Sequence, residues 1–392
     1  MKKQETLLTQ DGFSTHTCEL TRRITEAEFR SCAARLYDLA RGKHTGDTYP
    51  LSKSQKRGSS DANEKPETHF CKVFQKRGVR IYVHKVFIKG FMYAGITLIL
   101  NPRRLIDSES SYLGTFVADE KSLMELSDQF TTIMREAGLP ESLDDWQLSR
   151  CDLCVNVQTG RNRVARELNA ALHKGRMPKK YKRALYTDQK SSAKELKKKN
   201  RHYLRYKTDS VTIVVYDKKF QMTEEGLHVD YDHCSNGILR AELQVERSFI
   251  RSFAKKHGID KDDTAELLKA LSGHSEELLL RYIRQIDPPG MHYKPEVLKA
   301  EIERLDVTAV TKEYMLDLAE QARRCRTLDK AIAKTAQNFD LSQKSVRILM
   351  ESFEKNNISP IPLRQSYFRD SLPSLSVILK TLAEDGCTIL EV

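Results

Sequence analysis

The chain has 392 residues, 31% of them charged and 39% apolar, and a net charge of +12. This length is enough for two or three domains with their own cores. No apolar run reaches the 18 residues that a membrane span requires, and no apolar stretch follows the start of the chain, which predicts a cytoplasmic protein without a membrane partner. The eight cysteines lack the spacings of a zinc finger or a disulfide scaffold and are predicted to be reduced.

The elements in chain order predict three consecutive regions. Residues 1–65 are predicted to be an N-terminal helical arm, from the helical spacing at 21–43, followed by a flexible polar linker. Residues 66–258 alternate strand and helix patterns, which favours an α+β domain: an antiparallel sheet with helices on one face and the other face open to a ligand. The strands are predicted at 79–85, 91–100, 149–156, 211–218 and 239–246, a hairpin at 201–222, and the helices at 120–137, 162–174 and 249–257.

Three of these strand segments carry polar side chains opposite their apolar face. Asp152 lies on the polar face of the first, and Glu242 and Glu246 lie on that of the last. If the strands are neighbours, the carboxylates converge and repel one another unless a cation lies among them. This favours a Mg²⁺ or Mn²⁺ site, because these ions bind oxygen ligands. The alternative is a solvated sheet face with salt bridges to Arg240 and Lys218.

Positive charge is concentrated in residues 160–219, which contain 19 Lys and Arg against five Asp and Glu. Tyrosines such as Tyr203 and Tyr206 are interleaved with these cations. Cations that neutralise phosphates, beside rings that stack on bases, predict a nucleic-acid surface, and the alternative is a solvated basic loop. The predicted DNA-binding residues of this segment are Lys179, Lys180, Lys182, Arg183, Lys197, Lys198, Lys199, Arg201, Arg205 and Lys207.

Residues 259–392 are predicted to form an all-α domain of amphipathic helices. The helices are expected at 265–286, 294–305, 312–322, 328–339 and 343–355. The last two are joined by a short turn and would form a helix-turn-helix, in which the second helix presents Lys344 and Arg347 to DNA. Because any helical bundle contains such pairs, an ordinary bundle is the alternative.

Short motifs in this chain resemble the replication-initiator family of rolling-circle plasmids, integrative elements and phages called Rep-trans, which also includes conjugative relaxases. The family has an Arg-x-Asp strand, matched by Arg150-Cys-Asp152, and an Arg-x-Glu strand, matched by Arg240-Ala-Glu242. Between them, Tyr203 precedes Tyr216 by thirteen residues, which is the family's spacing. Asn156 stands where the family has a second Asp.

The resemblance implies a metal-dependent endonuclease that nicks origin DNA and transfers the cut strand to start rolling-circle replication of a mobile element. Tyr203 would be the nucleophile, with Tyr206 as its competitor, and Lys218 would add positive charge at the phosphate. The implied metal ligands are Asp152, Glu242 and Glu246.

Two other functions remain open at this stage. A conjugative relaxase would use the same chemistry at an origin of transfer. A DNA-binding regulator would use the basic segment and the helical region without catalysis. All three functions predict double- and single-stranded DNA as partners, and a homodimer is compatible with each.

Overall fold

The computed structural model describes residues 12–42, 48–50, 67–88, 91–110, 113–187, 191–224 and 237–385. Its strands are β1 (Ser14–Ile24), β2 (Thr48–Pro50), β3 (Glu67–Cys71), β4 (Val79–Ile88), β5 (Phe91–Leu100), β6 (Gln147–Gln158), β7 (Lys182–Arg183), β8 (Tyr203–Lys207), β9 (Val211–Asp217), β10 (Ile238–Glu246), β11 (Met291–Tyr293) and β12 (Ser371–Pro373). Its helices are α1 (Glu26–Gly42), α2 (Pro102–Ile106), α3 (Glu120–Ala137), α4 (Asn162–Lys174), α5 (Ala193–His202), α6 (Lys218–Glu224), α7 (Arg247–His257), α8 (Thr264–Gly273), α9 (Ser275–Ile286), α10 (Pro295–Arg304), α11 (Ala309–Arg324), α12 (Leu328–Asn338), α13 (Gln343–Lys355) and α14 (Leu375–Asp385).

Ten of these strands form one sheet in the order β2-β3-β4-β5-β1-β6-β10-β9-β8-β7. Neighbouring strands pair antiparallel from β2 to β6 and again from β9 to β7. A large antiparallel sheet with helices, followed by further helices, confirms the predicted α+β class. No helix in the described ranges combines the length and the apolar character that a membrane crossing needs.

The chain divides into two compact units, each built from separate stretches of sequence. The first unit contains Val155–Leu243 and Glu276–Val392, and the second contains Phe13–Cys154 and Gln244–Ser275. The sequence predicts three consecutive domains, because periodicity reports local elements and carries no information on where the chain returns to an earlier core.

In the first unit, α4 packs against β8 and β9 with an apolar face that includes Leu168 and Leu172, both almost completely buried. The buried carboxylate of Glu167 holds the other side of α4, where it accepts hydrogen bonds from the backbone and the guanidinium of Arg364. Helices α10 to α13 share an apolar core around Met315, to which Ala171 of α4 also belongs. These contacts fix the position of α4. Because β8 and β9 pack on α4, the same contacts position the two strands that contain Tyr203 and Tyr216.

The second unit contains the main difference from the predicted elements. Residues 14–24, predicted partly as helical arm, form β1 between β5 and β6, and α1 begins only at Glu26. Cys18 and Leu20 are fully buried and alternate with the polar Thr17 and Glu19. Because only two apolar residues mark the alternation, the helical spacing that follows dominated the sequence signal. The predicted linker at 52–68 lies almost entirely outside the described residues.

Smaller differences affect the elements next to the candidate site and the C-terminal region. The hairpin predicted at 201–222 is present as the antiparallel pair of β8 and β9. Residues 193–202, most of which carried no predicted element, form α5, whose start is stabilised by a capping box between Ser192 and Glu195. The strand expected to include Lys218 ends one residue earlier, and α6 follows. The C-terminal helices are interrupted by the β11–β12 pair, which the all-α prediction did not include.

Gly78 provides a test of the close packing in the second unit. Gly78 and Gly258 both have left-handed backbones, with φ of 80° and 69°. A Cβ on Gly78 would lie 2.7 Å from the carbonyl oxygen of Asn101, whereas a Cβ on Gly258 would meet nothing within 4 Å. Gly258→Ala should therefore cost only the left-handed penalty of about 1 kcal/mol, and Gly78→Ala at least about 1 kcal/mol more. Equal losses in chemical denaturation would contradict this packing.

Candidate functional site

A buried polar cluster connects β10 to β9 in the first unit. Arg240 is fully buried, and its Nε donates a hydrogen bond to Oδ1 of Asn156 at 2.6 Å. Its Nη1 lies 4.0 Å from Glu242, whose carboxylate also accepts a 2.7 Å hydrogen bond from the Tyr216 hydroxyl. Glu242 is only 5% exposed. The predicted polar face is therefore present on β10, but at this point it is a buried network and not an open surface.

A second cluster surrounds Arg150 in the second unit. The Arg150 guanidinium binds Asp152 through two hydrogen bonds of 2.8 Å and also forms an ion pair with Glu19. Burial by itself would lower the pKa of Arg150, because it disfavours the charged guanidinium. The hydrogen bonds and charge of Asp152 outweigh this effect, together with the charges of Glu19 and Glu246, and the pKa of Arg150 is raised. The Arg-x-Asp motif thus forms a charge-assisted pair along one strand.

The predicted metal ligands each have a protein neighbour of opposite charge or a hydrogen-bond donor. Asp152 is paired with Arg150, Glu242 accepts from Tyr216, and Glu246 contributes to the electrostatic field at Arg150. Across the ranges that the structure describes, no three His, Cys, Asp or Glu side chains are grouped as metal ligands would be.

Tyr203 is the first residue of β8 and lies directly opposite Tyr216 in the antiparallel register. The two rings are stacked, with centroids 5.4 Å apart and planes 17° apart. On its other side, the Tyr203 ring stacks with Tyr186 at 6.2 Å. Tyr203 is partly exposed. Its ring contacts both the exposed ring of Tyr186 and the ring of Tyr216, whose hydroxyl binds Glu242.

The competing tyrosine has a different environment. Tyr206 points to the opposite face of β8, is 1% exposed, and its pKa is raised chiefly by burial. Tyr203, partly exposed on the opposite face of β8, is therefore the more solvent-accessible of the two tyrosines.

Lys218, predicted to face a phosphate, is 2% exposed at the start of α6. Its Nζ donates a 2.7 Å hydrogen bond to Gln221 and lies 5.8 Å from the centre of the Tyr216 ring. The structure thus places this positive charge beside the tyrosine stack, but under the surface.

Sequence reasoning missed a histidine–aspartate pair beside Tyr203. Nδ1 of His202 lies 3.2 Å from a carboxylate oxygen of Asp217, and the His202 ring stacks on Phe220 at 3.8 Å. The signal was available, because the register that places Tyr203 opposite Tyr216 also places their neighbours His202 and Asp217 across from each other. Phe220 lies near both the histidine and Tyr203, with its ring 6.2 Å from the Tyr203 ring.

The predicted DNA-binding residues of the basic segment occupy a turn, two strands and a helix. Lys179 and Lys180 are in the turn after α4, Lys182 and Arg183 on β7, Lys197, Lys198, Lys199 and Arg201 on α5, and Arg205 and Lys207 on β8. All are exposed except Lys199, which is partly buried. Lys199 pairs with Glu224 at 2.8 Å and lies 5.2 Å from the centre of the Tyr186 ring. The structure therefore brings Lys199 of α5 to the tyrosine stack.

Lys344 and Arg347 lie apart from this segment, on α13. Both are exposed, as predicted, and Arg347 forms an i,i+4 ion pair with Glu351. The turn between α12 and α13 contains Asp340 with a φ of 49°. The helix pair expected from the sequence is therefore present, and its second helix has a polar outer face.

Comparison of the chain with protein-family models, curated proteins and solved structures gives no match.

His173 on α4 provides a pH test of the basic segment. Burial, with the nearby charge of Arg183, lowers the pKa of His173 to about 4 from the usual 6.5. Since the unfolded chain binds the proton more tightly, His173 should reduce stability as the pH falls from about 6.5 to 4, by up to about 3 kcal/mol. His173→Gln should remove this contribution. The measurement is the difference in unfolding free energy between wild type and variant at each pH, and a constant difference would contradict the prediction.

Proposed function

We propose that this protein nicks one strand of DNA at an origin through Tyr203 and thereby starts rolling-circle replication of a mobile element. The observation that carries the proposal is the position of Tyr203. It is partly exposed, lies among exposed cations, and stacks on Tyr216, which binds the glutamate of the Arg-x-Glu motif. The resemblance of the motifs to Rep-trans initiators supports the same assignment.

The chemistry would be an in-line attack of the Tyr203 hydroxyl on the scissile phosphate. A new bond forms between the tyrosine oxygen and phosphorus, the bond to the 3′ oxygen breaks, and the products are a 5′-phosphotyrosine and a free 3′-OH primer. Arg205 and Lys207 follow Tyr203 on the same exposed face of β8. In this proposal they would neutralise the flanking phosphates.

Asp152, Glu242 and Glu246 remain the proposed ligands of Mg²⁺ or Mn²⁺. When bound, the ion would neutralise charge on the phosphate. The carboxylate oxygens fit a hard cation, but ion binding would have to compete with the Arg150 and Tyr216 contacts of Asp152 and Glu242. Lys218 would supply a fixed positive charge beside Tyr216.

A DNA-binding regulator is a second candidate, favoured by the α12–α13 pair with the exposed Lys344 and Arg347. In the nicking proposal, this pair would instead recognise the double-stranded origin. A conjugative relaxase would perform the same reaction at an origin of transfer. The regulator and the enzyme differ in one product, the covalent adduct between protein and DNA.

Tyr203→Phe tests the nucleophile. The variant keeps the ring stack and removes only the hydroxyl, so DNA binding should persist while the covalent adduct disappears. Tyr206→Phe is the matched control, because it removes a hydroxyl from the same strand at a buried position. The measurement is a denaturing gel of protein incubated with labelled single-stranded origin DNA and Mn²⁺. An adduct in Tyr203→Phe, or none in wild type alongside normal binding, would contradict the nicking proposal, and the second result would favour the regulator.

Glu242→Gln tests the metal. The amide keeps an acceptor for the Tyr216 hydroxyl but removes the negative charge that a divalent ion requires. Adduct formation should fall at least about tenfold at limiting Mn²⁺ and should be abolished in wild type by a chelator. Because Glu242→Gln also removes the charge beside the buried Arg240, its circular dichroism and DNA binding must match those of wild type for the fall to report on the metal. Glu313→Gln, at an exposed position on α11, is the control for loss of one carboxylate. Wild-type rates in Glu242→Gln across a Mn²⁺ titration would contradict the assignment.

A further inference from the structure

A groove on the sheet of the second unit is separate from every residue assigned above. It has a volume of about 630 Å³ and is lined by side chains of β1, β4, β5 and β6 together with Arg247 at the start of α7. Its floor is Gly95, which lies between Arg23 on one neighbouring strand and His84 on the other in the sheet register. A Cβ at Gly95 would lie 3.0 Å from Nε2 of His84, so the glycine keeps this space open.

The groove holds positive charge that the described residues do not neutralise. Arg22 is paired with Asp145 at 3.3 Å. By contrast, Arg23 lies over the Tyr93 ring and Arg247 donates to the Thr21 hydroxyl, and neither has a carboxylate partner among the described residues.

Arg23 and Arg247 both line the groove, so their like charges face the same space. His84 has a pKa lowered by burial, so it adds a neutral ring to the wall. Guanidinium groups that repel one another are stabilised by a bound anion.

Aromatic rings extend along the same sheet face. Tyr93 lines the groove and is 40% exposed, and Phe91 is 69% exposed. Phe91, Tyr93 and Gly95 alternate along β5, so they share one face, and successive ring positions are about 7 Å apart. Exposed rings beside guanidinium groups that have no carboxylate partner among the described residues form a combination that binds single-stranded nucleic acid, because the rings stack on bases and the cations contact phosphates.

We propose that this groove binds single-stranded nucleic acid, with Arg23 and Arg247 on the phosphates and Tyr93 and Phe91 stacked on bases. The inference rests on the proposed function only in taking nucleic acid as the ligand, and it does not depend on the nucleophile or the metal. The groove would hold a segment of strand apart from the residues proposed to cut it.

The experiment measures binding of the full chain to a labelled oligo-thymidylate of about 20 nucleotides over a range of salt concentrations. Arg23→Ala/Arg247→Ala should lower the slope of log K against log salt by about 1.4, since each phosphate contact on single strands contributes about 0.7. Tyr93→Ala should weaken binding about 5- to 100-fold, and Tyr93→Phe should restore it.

The matched control is Arg30→Ala/Arg103→Ala, which removes two exposed arginines of the same unit that already have i,i+4 acidic partners. It should leave the slope nearly unchanged. Because the double variant of the groove could unfold, the single variant Arg23→Ala at an exposed position is measured as well, and should lower the slope by about 0.7.

The outcomes separate this inference from the proposed function. In one outcome, the groove variants bind the oligonucleotide as wild type does, while replacement of Lys197, Lys198 and Lys199 by Ala weakens binding. That result would contradict nucleic-acid binding in the groove and would leave the nicking proposal unaffected. Weakened binding by the groove variants, without any Tyr203 adduct in wild type, would support the groove and overturn the nicking proposal. If the groove variants lose binding to vesicles containing phosphatidylserine but still bind the oligonucleotide as wild type does, the inference is also wrong.

Discussion

The burial of Arg240 is the constraint on which the candidate site depends. A guanidinium without solvent must have polar partners within the protein, and here Asn156 and Glu242 supply them. Glu242 in turn binds the hydroxyl of Tyr216, whose ring supports Tyr203. A buried charge on one strand therefore determines, through three contacts, the position of a partly exposed tyrosine. Removing one charged member would leave its partner buried and uncompensated, which is more costly than the pair itself.

The cluster around Arg150 changes how Asp152 should be understood. Repulsion between carboxylates suggested a cation, yet Asp152 is neutralised by Arg150 within its own strand. Arginine supplies two parallel hydrogen bonds to a carboxylate, so the charge of Asp152 is compensated by a protein side chain. The Arg-x-Asp and Arg-x-Glu motifs differ in this respect, because only the first forms the close bidentate pair. Glu242 keeps its arginine at 4.0 Å and has a tyrosine as its close partner.

Strongly periodic segments were predicted with their observed boundaries, including β5 at 91–100, α3 at 120–137, α4 at 162–174 and α13 at 343–355. Each has several apolar residues at regular spacing or a clear stop signal, such as Gly138 after α3. β1 was missed because its long-range pairing with β5 and β6, and not its own weak alternation, places it in the sheet. The groove between Arg23 and His84 was not predicted for the same reason, since its residues meet only through that pairing.

The sequence by itself determined the α+β class, the concentration of positive charge in residues 160–219, and the spacing of Tyr203 and Tyr216. These properties depend on composition and on the local spacing of residues. They are therefore the same in any fold that buries the apolar faces of the elements. Only the tertiary structure decided that Tyr203 is partly exposed while Tyr206 is buried, and that Lys218 and Glu242 lie under the surface. Exposure depends on which elements cover a strand, and that is set by contacts between residues far apart in the chain.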